Sequence, residues 1–105
     1  MDEAVIHDPV LLSRAIVIWT GFGVRSWPKR DDARLVRTFG SSMADKLLPL
    51  LLQFWDDFYA SDARIIAPDL QSMGDHAAND FRKVHPELDD AAVEALAWCY
   101  TWDFK

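Results

Sequence analysis

The sequence predicts an all-α fold, a compact single-domain bundle of about five helices with a kinked central helix. Capping and stop residues recur at helix-sized intervals, and the apolar residues between them follow the period of about 3.6 residues per turn. Half of the 105 residues are hydrophobic and 12% are aromatic, so the chain can build a packed core. No repeat or linker interrupts it, and we assign residues 1–105 to one helical domain.

The first helix is predicted to begin after Asp8, an N-cap residue followed by Pro9, and to end at Gly21. Its stretch AIVIW, residues 15–19, contains β-branched residues that also fit a buried strand. The sequence therefore leaves helix and strand as alternatives for this stretch.

The second helix is predicted in the segment KRDDARLVRTFG, which follows the loop GFGVRSWP and ends at Gly40. Arg30, Arg34 and Arg37 lie along one side of this helix, and apolar residues lie towards the other. It is a short amphipathic helix with a basic side.

The central helix is predicted in the most apolar segment, MADKLLPLLLQFWDDFYA, after a cap at Ser42 with Asp45 in the capping-box position. Pro49 lacks the N–H of a helical hydrogen bond, yet the apolar phase continues beyond it. We therefore expect one kinked helix or a helix that restarts at Pro49. The centre of the core is predicted to be formed by Leu51, Phe54, Trp55 and Phe58.

Two further helices are predicted after the segment SDARIIAPD, which is itself a turn or a single helical turn. Pro68 and Asp69 open the first of them, and Asp89 or Asp90 caps the second. We expect helix at least over residues 90–100, with the last few residues left open.

The C-terminal segment EALAWCYTWDFK carries aromatic residues on two sides of its predicted helix. Tyr100 shares one side with apolar core residues, and Trp98 and Trp102 lie almost opposite, one turn apart. This second side either packs inside the monomer or contacts a partner. As candidate partner-contact residues we take Trp98 and Trp102 together with the acidic pair Asp56 and Asp57.

Charge is unevenly distributed along a chain whose formal net charge is −6. Residues 21–40 hold five basic and two acidic residues, whereas residues 41–80 hold two basic and seven acidic residues. The loop GFGVRSWPKR lacks the third glycine of a dinucleotide fingerprint, but it precedes a helix N-terminus and is rich in donors. The candidate anion-binding residues are Arg25, Ser26, Lys29 and Arg30.

The sequence predicts no catalytic residues, no metal site and no cofactor. His76 and Asp80 lie on one helical side, and Asp69 or Asp75 could join them, which is compatible with a metal without being specific for one. The single cysteine, Cys99, has no neighbouring base or positive charge, so we expect a buried and unreactive thiol.

Three functions are compatible with these features. The first is a small acidic protein-interaction module, such as an inhibitor or neutralising partner of a basic protein, or an adaptor. The second is a small binder of anionic ligands, or an enzyme, that uses the loop at residues 21–30. The third is a self-associating protein, a homo-oligomer in which the basic second helix meets the acidic segment DDFYASDARIIAPD of another copy.

The same features bear on partners and location. The acidic balance disfavours duplex nucleic acid as a partner. The segment MDEAVIHDP lacks the features of a signal peptide, and no apolar stretch has the length of a membrane span. An unpaired cysteine fits a reducing compartment. We therefore expect a cytoplasmic protein that binds another protein and does not associate with membranes.

Overall fold

Residues 7–105 are described by a computed structural model, and 74% of them are α-helical, with no strand among them. The first six residues, which contribute to the signal-peptide prediction, lie outside this range. The helices are α1 (Pro9–Thr20), α2 (Asp32–Phe39), α3 (Ser41–Tyr59), α4 (Ala63–Ile66), α5 (Leu70–Val84) and α6 (Asp90–Phe104). Five of these are long and α4 is a single turn, so the predicted all-α bundle is confirmed. The strand alternative at residues 15–19 is wrong, because these residues lie inside α1.

Short-range capping sets most of the helix ends. Asp8, Asp31, Asp69 and Asp89 each accept a hydrogen bond from a backbone N–H in the first turn of α1, α2, α5 and α6, respectively. Gly21 ends α1 in the left-handed conformation, with φ 81°, and its N–H donates to a carbonyl of the last turn. The sequence could predict the ends at Asp8, Gly21, Asp69 and Asp89, because these depend on residues adjacent in the chain, but it did not indicate the cap of α2 at Asp31.

The predicted capping box at Ser42 and Asp45 is wrong. The N-cap of α3 is Gly40, which makes no side-chain cap, and the helix begins at Ser41. Gly40 has φ 85° and ψ 158°, a region of backbone conformation that only glycine adopts readily. This single residue joins α2 directly to α3, so Ser42 already lies inside the first turn and cannot act as the cap.

The central helix α3 runs without a break through Pro49. Pro49 is exposed, and so is Asp45, whose carbonyl loses its helical partner there, so water can reach this part of the helix. The kink of the central helical segment lies further on, at residues 60–62, where α3 ends and the one-turn α4 follows. Residues 63–66 therefore leave the axis of α3, and the predicted single turn in SDARIIAPD is confirmed.

Aromatic residues fill the core between α3, α5 and α6. The ring of Phe58 lies 5.1 Å from that of Phe81 and 5.7 Å from that of Tyr100, measured between centroids. Leu51, Phe54 and Phe58 are buried, as predicted, whereas Trp55 is half-buried. The predicted core is therefore confirmed apart from Trp55, which lies at the edge of the core and stacks on Tyr59.

Helix α6 occupies the middle of the assembly and contacts α1, α3 and α5. The whole measures 45 × 28 × 18 Å along its principal axes. Over residues 7–105, every helix is too short or too polar to cross a lipid bilayer. Because α6 has α1 and α3 on its other sides, its contact with α5 leaves part of both helices open to solvent, and the candidate site lies there.

Candidate functional site

A groove of about 430 Å³ lies between α5 and α6, and we call it the α5–α6 groove. Its less exposed positions carry small side chains, and its rim carries larger apolar and charged ones. The residues that line it are Leu70, Gln71, Gly74, Asp75, Ala78, Arg82, Val93, Glu94, Ala97, Trp98, Thr101, Trp102 and Lys105. Two of the four predicted partner-contact residues, Trp98 and Trp102, therefore lie in this groove.

Gly74 allows α5 and α6 to approach each other at the bottom of the groove. A Cβ atom at Gly74 would lie 3.1 Å from Cγ2 of Thr101, closer than such atoms normally pack. Glycine inside a helix costs about 1 kcal/mol relative to alanine, so its presence needs a packing reason. Gly74 was missed in the sequence, although a glycine in the interior of a predicted helix is the signal that could have revealed this close approach.

The two tryptophans occupy different depths of the groove. Trp98 is half-buried, and its ring lies 5.7 Å from that of Phe22. Trp102 is 42% exposed, and its ring faces the Nζ atom of Lys105 at 3.6 Å. On the opposite rim, Leu70 is 47% exposed. Large apolar side chains therefore remain in contact with water on both rims of the groove.

The charged residues of the groove are of both signs. The guanidinium of Arg82 lies 3.4 Å from a carboxylate oxygen of Asp90. Arg82 therefore already pairs with an acidic residue of the same chain. Asp75 accepts hydrogen bonds from the Gln71 amide at 3.2 and 3.3 Å, and this partner carries no charge. Glu94, on α6, is exposed. Asp75 and Glu94 therefore offer carboxylates on the two helices that line the groove.

The predicted contact residues Asp56 and Asp57 lie on α3 and do not line the groove. Asp56 is exposed, whereas Asp57 lies 2.7 Å from Nε2 of His85 and accepts a hydrogen bond from Gln53. The structure therefore separates the four predicted residues into two places. The sequence could not predict whether the aspartates and the tryptophans share one surface, because no local signal fixes the position of α3 relative to α6.

The predicted anion-binding residues lie on the loop between α1 and α2. Arg25, Ser26 and Lys29 are exposed. The guanidinium of Arg30 lies 4.5 Å from the ring centroid of Trp55, a cation–π contact within the chain. Arg30 thus contacts α3 and helps to hold the loop against it. The side chains of Arg25, Ser26 and Lys29 remain accessible to an anion.

The N-terminus of α2 holds carboxylates of the chain itself. Asp31 caps the helix, and Asp32 accepts a hydrogen bond of 3.0 Å from Nε1 of Trp19. Arg34, which the sequence indicated only as part of the basic side, is mostly buried here, and its Nη2 donates to the carbonyl of Lys29 at 2.7 Å. A Cβ atom at Gly21 would overlap Nη1 of Arg34, so this glycine makes room for the guanidinium. The carboxylates of Asp31 and Asp32 would compete with an external anion for the N-terminus of α2. The anion site stays a prediction.

Two histidines on and after α5 each lie between two carboxylates. His85 hydrogen-bonds through Nε2 to Asp57 at 2.7 Å and through Nδ1 to Glu87 at 3.3 Å. Its ring also packs against those of Phe54 and Phe81, with centroids 4.9 Å apart in both cases. This packed, hydrogen-bonded arrangement joins the end of α5 to α3.

The second histidine forms the His76 cluster, which consists of Asp62, His76 and Asp80. The sequence indicated that Asp69 or Asp75 could join His76 and Asp80. Of these, Asp69 caps α5 and Asp75 pairs with Gln71, and the structure brings Asp62 to the histidine instead. Asp62 was missed because it is 14 residues away from His76 in the chain.

Cys99 is buried, and this burial together with the nearby charge of Asp103 raises the pKa of its thiol from 9.0 to about 12. A thiol that stays protonated at neutral pH is a poor nucleophile, so the expectation of a buried cysteine is confirmed and the groove contains no activated thiol. The α5–α6 groove presents apolar and charged side chains next to one another. Comparison of the chain with protein-family models, curated proteins and solved structures found no match.

Proposed function

We propose that this protein is an acidic interaction module whose α5–α6 groove binds an amphipathic, basic segment of another protein. The observation that carries the proposal is the exposure of Trp102 and Leu70 on the two rims of a groove with small residues at its bottom. Tryptophan is enriched among the residues that contribute most to protein association. Contiguous apolar surface bordered by polar residues is typical of such contacts.

The shape of the groove supports a helical occupant. Two helices that diverge above small residues leave room for the apolar side of a third helix, which is a common mode of peptide recognition. Gly74 and Ala78 supply these small residues on α5, and Ala97 and Thr101 supply them on α6. An occupant would pack apolar side chains against Trp102 and Leu70.

The charge supports a basic occupant. The protein carries a formal net charge of −6, which attracts positively charged partners over a distance of about one Debye length. Asp75 and Glu94 place carboxylates along the groove, where Lys or Arg side chains of the occupant would pair with them. We place this function in the cytoplasm, and the free thiol of Cys99 supports a reducing compartment.

The proposal is tested by capture from extract of the native cell with immobilised wild-type protein and two tryptophan variants. Trp102→Ala removes the exposed ring of the groove, and Trp27→Ala removes a ring that is 54% exposed and does not line the groove. We expect one protein to be retained by the wild type and by Trp27→Ala, lost with Trp102→Ala, and released at high salt.

The captured protein is then purified and its affinity measured by calorimetry. Removal of a central aromatic contact costs about 2 kcal/mol, so the Kd should rise about 30-fold in Trp102→Ala and remain within about twofold in Trp27→Ala. Equal affinity of all three forms would contradict the role of the groove. Light scattering at low and high salt tests the alternative partner, a second copy of this chain, which would appear as a doubled molar mass.

A further inference from the structure

Three metal-ligating side chains meet beside the kink at residues 60–62. His76 and Asp80 extend from α5, and Asp62 extends from the turn. The Nε2 atom of His76 lies 3.4 Å from Oδ1 of Asp62 and 3.3 Å from Oδ2 of Asp80. The ligand atoms of all three residues lie within 4.8 Å of one another. They therefore surround a single point at the protein surface.

The contacts within the His76 cluster differ from those of an ordinary ion pair. At His85, each ring nitrogen makes a hydrogen bond with a different carboxylate. At His76, the single nitrogen Nε2 faces both carboxylates, at 3.4 and 3.3 Å. A single imidazole nitrogen carries at most one hydrogen, so it cannot donate well to two oxygens at once. The hydrogen of this nitrogen can therefore serve only one of the two carboxylates, although both converge on it.

Two of the three separations between ligand atoms fit a tetrahedral metal ion, and the third, between the two carboxylates, is within 4.8 Å. Zinc binds nitrogen at about 2.0–2.1 Å and carboxylate oxygen at about 2.0–2.2 Å, so two ligand atoms of a tetrahedral site lie about 3.3–3.5 Å apart. The two measured separations from Nε2 of His76 fall in this range. Octahedral Mg²⁺, with bonds of about 2.0–2.1 Å, would bring adjacent ligand atoms to about 2.9 Å, and Ca²⁺ favours oxygen ligands alone.

We propose that Asp62, His76 and Asp80 bind one Zn²⁺ ion, with water as the fourth ligand. A nitrogen and two carboxylate oxygens are a donor set that zinc accepts. Asp62 has 64% of its side chain exposed, which leaves the site open for the ion and its water. Three protein ligands and one water describe an exchangeable site rather than a closed structural one.

The core holds two parts of this site in position. The hydroxyl of the buried Ser61 donates to Oδ2 of Asp80 at 2.9 Å, so the ligating oxygen is oriented by a hydrogen bond. The carbonyl of Ser61 accepts a hydrogen bond from the Tyr100 hydroxyl at 3.0 Å, which fastens the turn that carries Asp62. Ligands fixed in this way lose little conformational freedom when the ion binds.

The zinc site is independent of the proposed function. At about 100° per residue, His76 and Asp80 point about 180° away from Gly74 and Ala78, the α5 residues of the groove. Zinc would connect the turn after α3 to α5, and an ion that binds only the folded chain raises its stability. Partner capture and zinc binding can therefore succeed or fail separately.

The test is a calorimetric titration of ZnCl2 into the full, untagged chain after treatment with EDTA. The ligand variants are Asp62→Asn, His76→Ala and Asp80→Asn, and the matched controls are His7→Ala and Asp45→Asn, which remove an exposed histidine and an exposed carboxylate outside the cluster. We expect one Zn²⁺ per chain in the wild type and both controls, and at least tenfold weaker binding in each ligand variant. Circular dichroism checks that every variant is folded.

Two further measurements use the metal alone. Zinc should raise the Tm of the wild type and leave that of His76→Ala unchanged, and Co²⁺ in the same site should show the intense visible absorption of four-coordinate cobalt. Mg²⁺ and Ca²⁺ should not compete with zinc. The proposal is overturned if zinc does not bind, if the ligand variants bind it as well as the controls do, or if cobalt shows the weak spectrum of octahedral coordination.

Discussion

The two sides of α6 carry similar aromatic residues and use them differently. On one side Tyr100 is fully buried, and its ring packs against that of Phe58. Its hydroxyl donates to the carbonyl of Ser61 and accepts from the N–H of Arg64, each at 3.0 Å. On the other side Trp102 is 42% exposed and borders the α5–α6 groove.

The comparison shows how a helix with aromatic residues on two sides can be divided into a core side and a solvent-exposed side, which we propose as the contact side. A buried polar atom must find partners inside the protein, and the Tyr100 hydroxyl has two. An exposed ring such as that of Trp102 gains its apolar burial only when a partner covers it. Trp98 lies between these extremes, because it is half-buried against Phe22.

The largest effect is expected on the core side. Tyr100→Ala should lower the free energy of unfolding by about 3–5 kcal/mol, because it removes a fully buried ring. Tyr100→Phe should cost about 1–3 kcal/mol, because it removes the hydrogen bonds of the Tyr100 hydroxyl with the Ser61 carbonyl and the Arg64 N–H, while the Ser61 carbonyl keeps its hydrogen bond from Nη1 of Arg64. Urea denaturation measures both values, and a loss below about 1 kcal/mol in Tyr100→Ala would remove the distinction between the two sides.

An intermediate effect is expected at Trp98. Trp98→Ala should lower the free energy of unfolding by about 1–3 kcal/mol, because only part of its ring is withdrawn from water. The same variant widens the groove, so its partner affinity should also fall. Stability equal to that of the wild type would assign Trp98 wholly to the contact side.

A smaller effect is expected at alkaline pH. The pKa of Cys99 is raised from 9.0 to about 12 by burial and by the charge of Asp103, so the folded chain keeps a proton that the unfolded chain releases. This contribution to stability is complete below pH 9 and is lost as the pH rises towards 12. Burial and the hydrogen bond to Asp103 also raise the pKa of Tyr59, which acts in the same direction.

Thermal unfolding between pH 8 and pH 11 measures this loss. Cys99→Ala should show a shallower decline of Tm with pH than the wild type, whatever its Tm at pH 8. Identical slopes would mean that the thiol is accessible in the folded chain. A thiol reagent at neutral pH supplies the control, since it should label Trp102→Cys quickly and native Cys99 slowly.

The smallest effect on stability is expected at Trp102. Trp102→Ala should change the free energy of unfolding by less than about 1 kcal/mol, because much of the ring is already in water. Denaturant unfolding checks this, and Trp27→Ala serves as the matched control. A loss of several kcal/mol would place Trp102 in the core and contradict its role as a contact residue.

Local residues carried most of what could be predicted about the fold. Each capping aspartate acts on an N–H two or three residues away, and Gly21 ends α1 through its own backbone conformation. Apolar periodicity, which is also a property of neighbouring residues, correctly indicated Leu51, Phe54 and Phe58 as core residues. Ser42 was the exception, because a one-residue connection at Gly40 moved the start of α3.

The candidate site was predictable only in part. Trp98 and Trp102 could be paired from their spacing on one helix, but their opposite wall comes from α5. Two of the three residues of the His76 cluster, His76 and Asp80, could be recognised in the sequence from their four-residue spacing. The third, Asp62, lies beside them only because the chain kinks at residues 60–62. Contacts between elements depend on how helices pack, and that packing is not encoded in the spacing of residues along one helix.

The sequence by itself determined the all-α class, most helix ends and the acidic net charge, because propensity, capping and charge act over a few residues or over the whole composition. Tertiary structure alone decided which side of α6 is buried, since α1, α3 and α5 compete for its apolar surface. It also decided that Arg30 contacts Trp55 and that His85 pairs with Asp57. Such pairs form when the burial of apolar surface brings distant segments together, and only the packed chain specifies them.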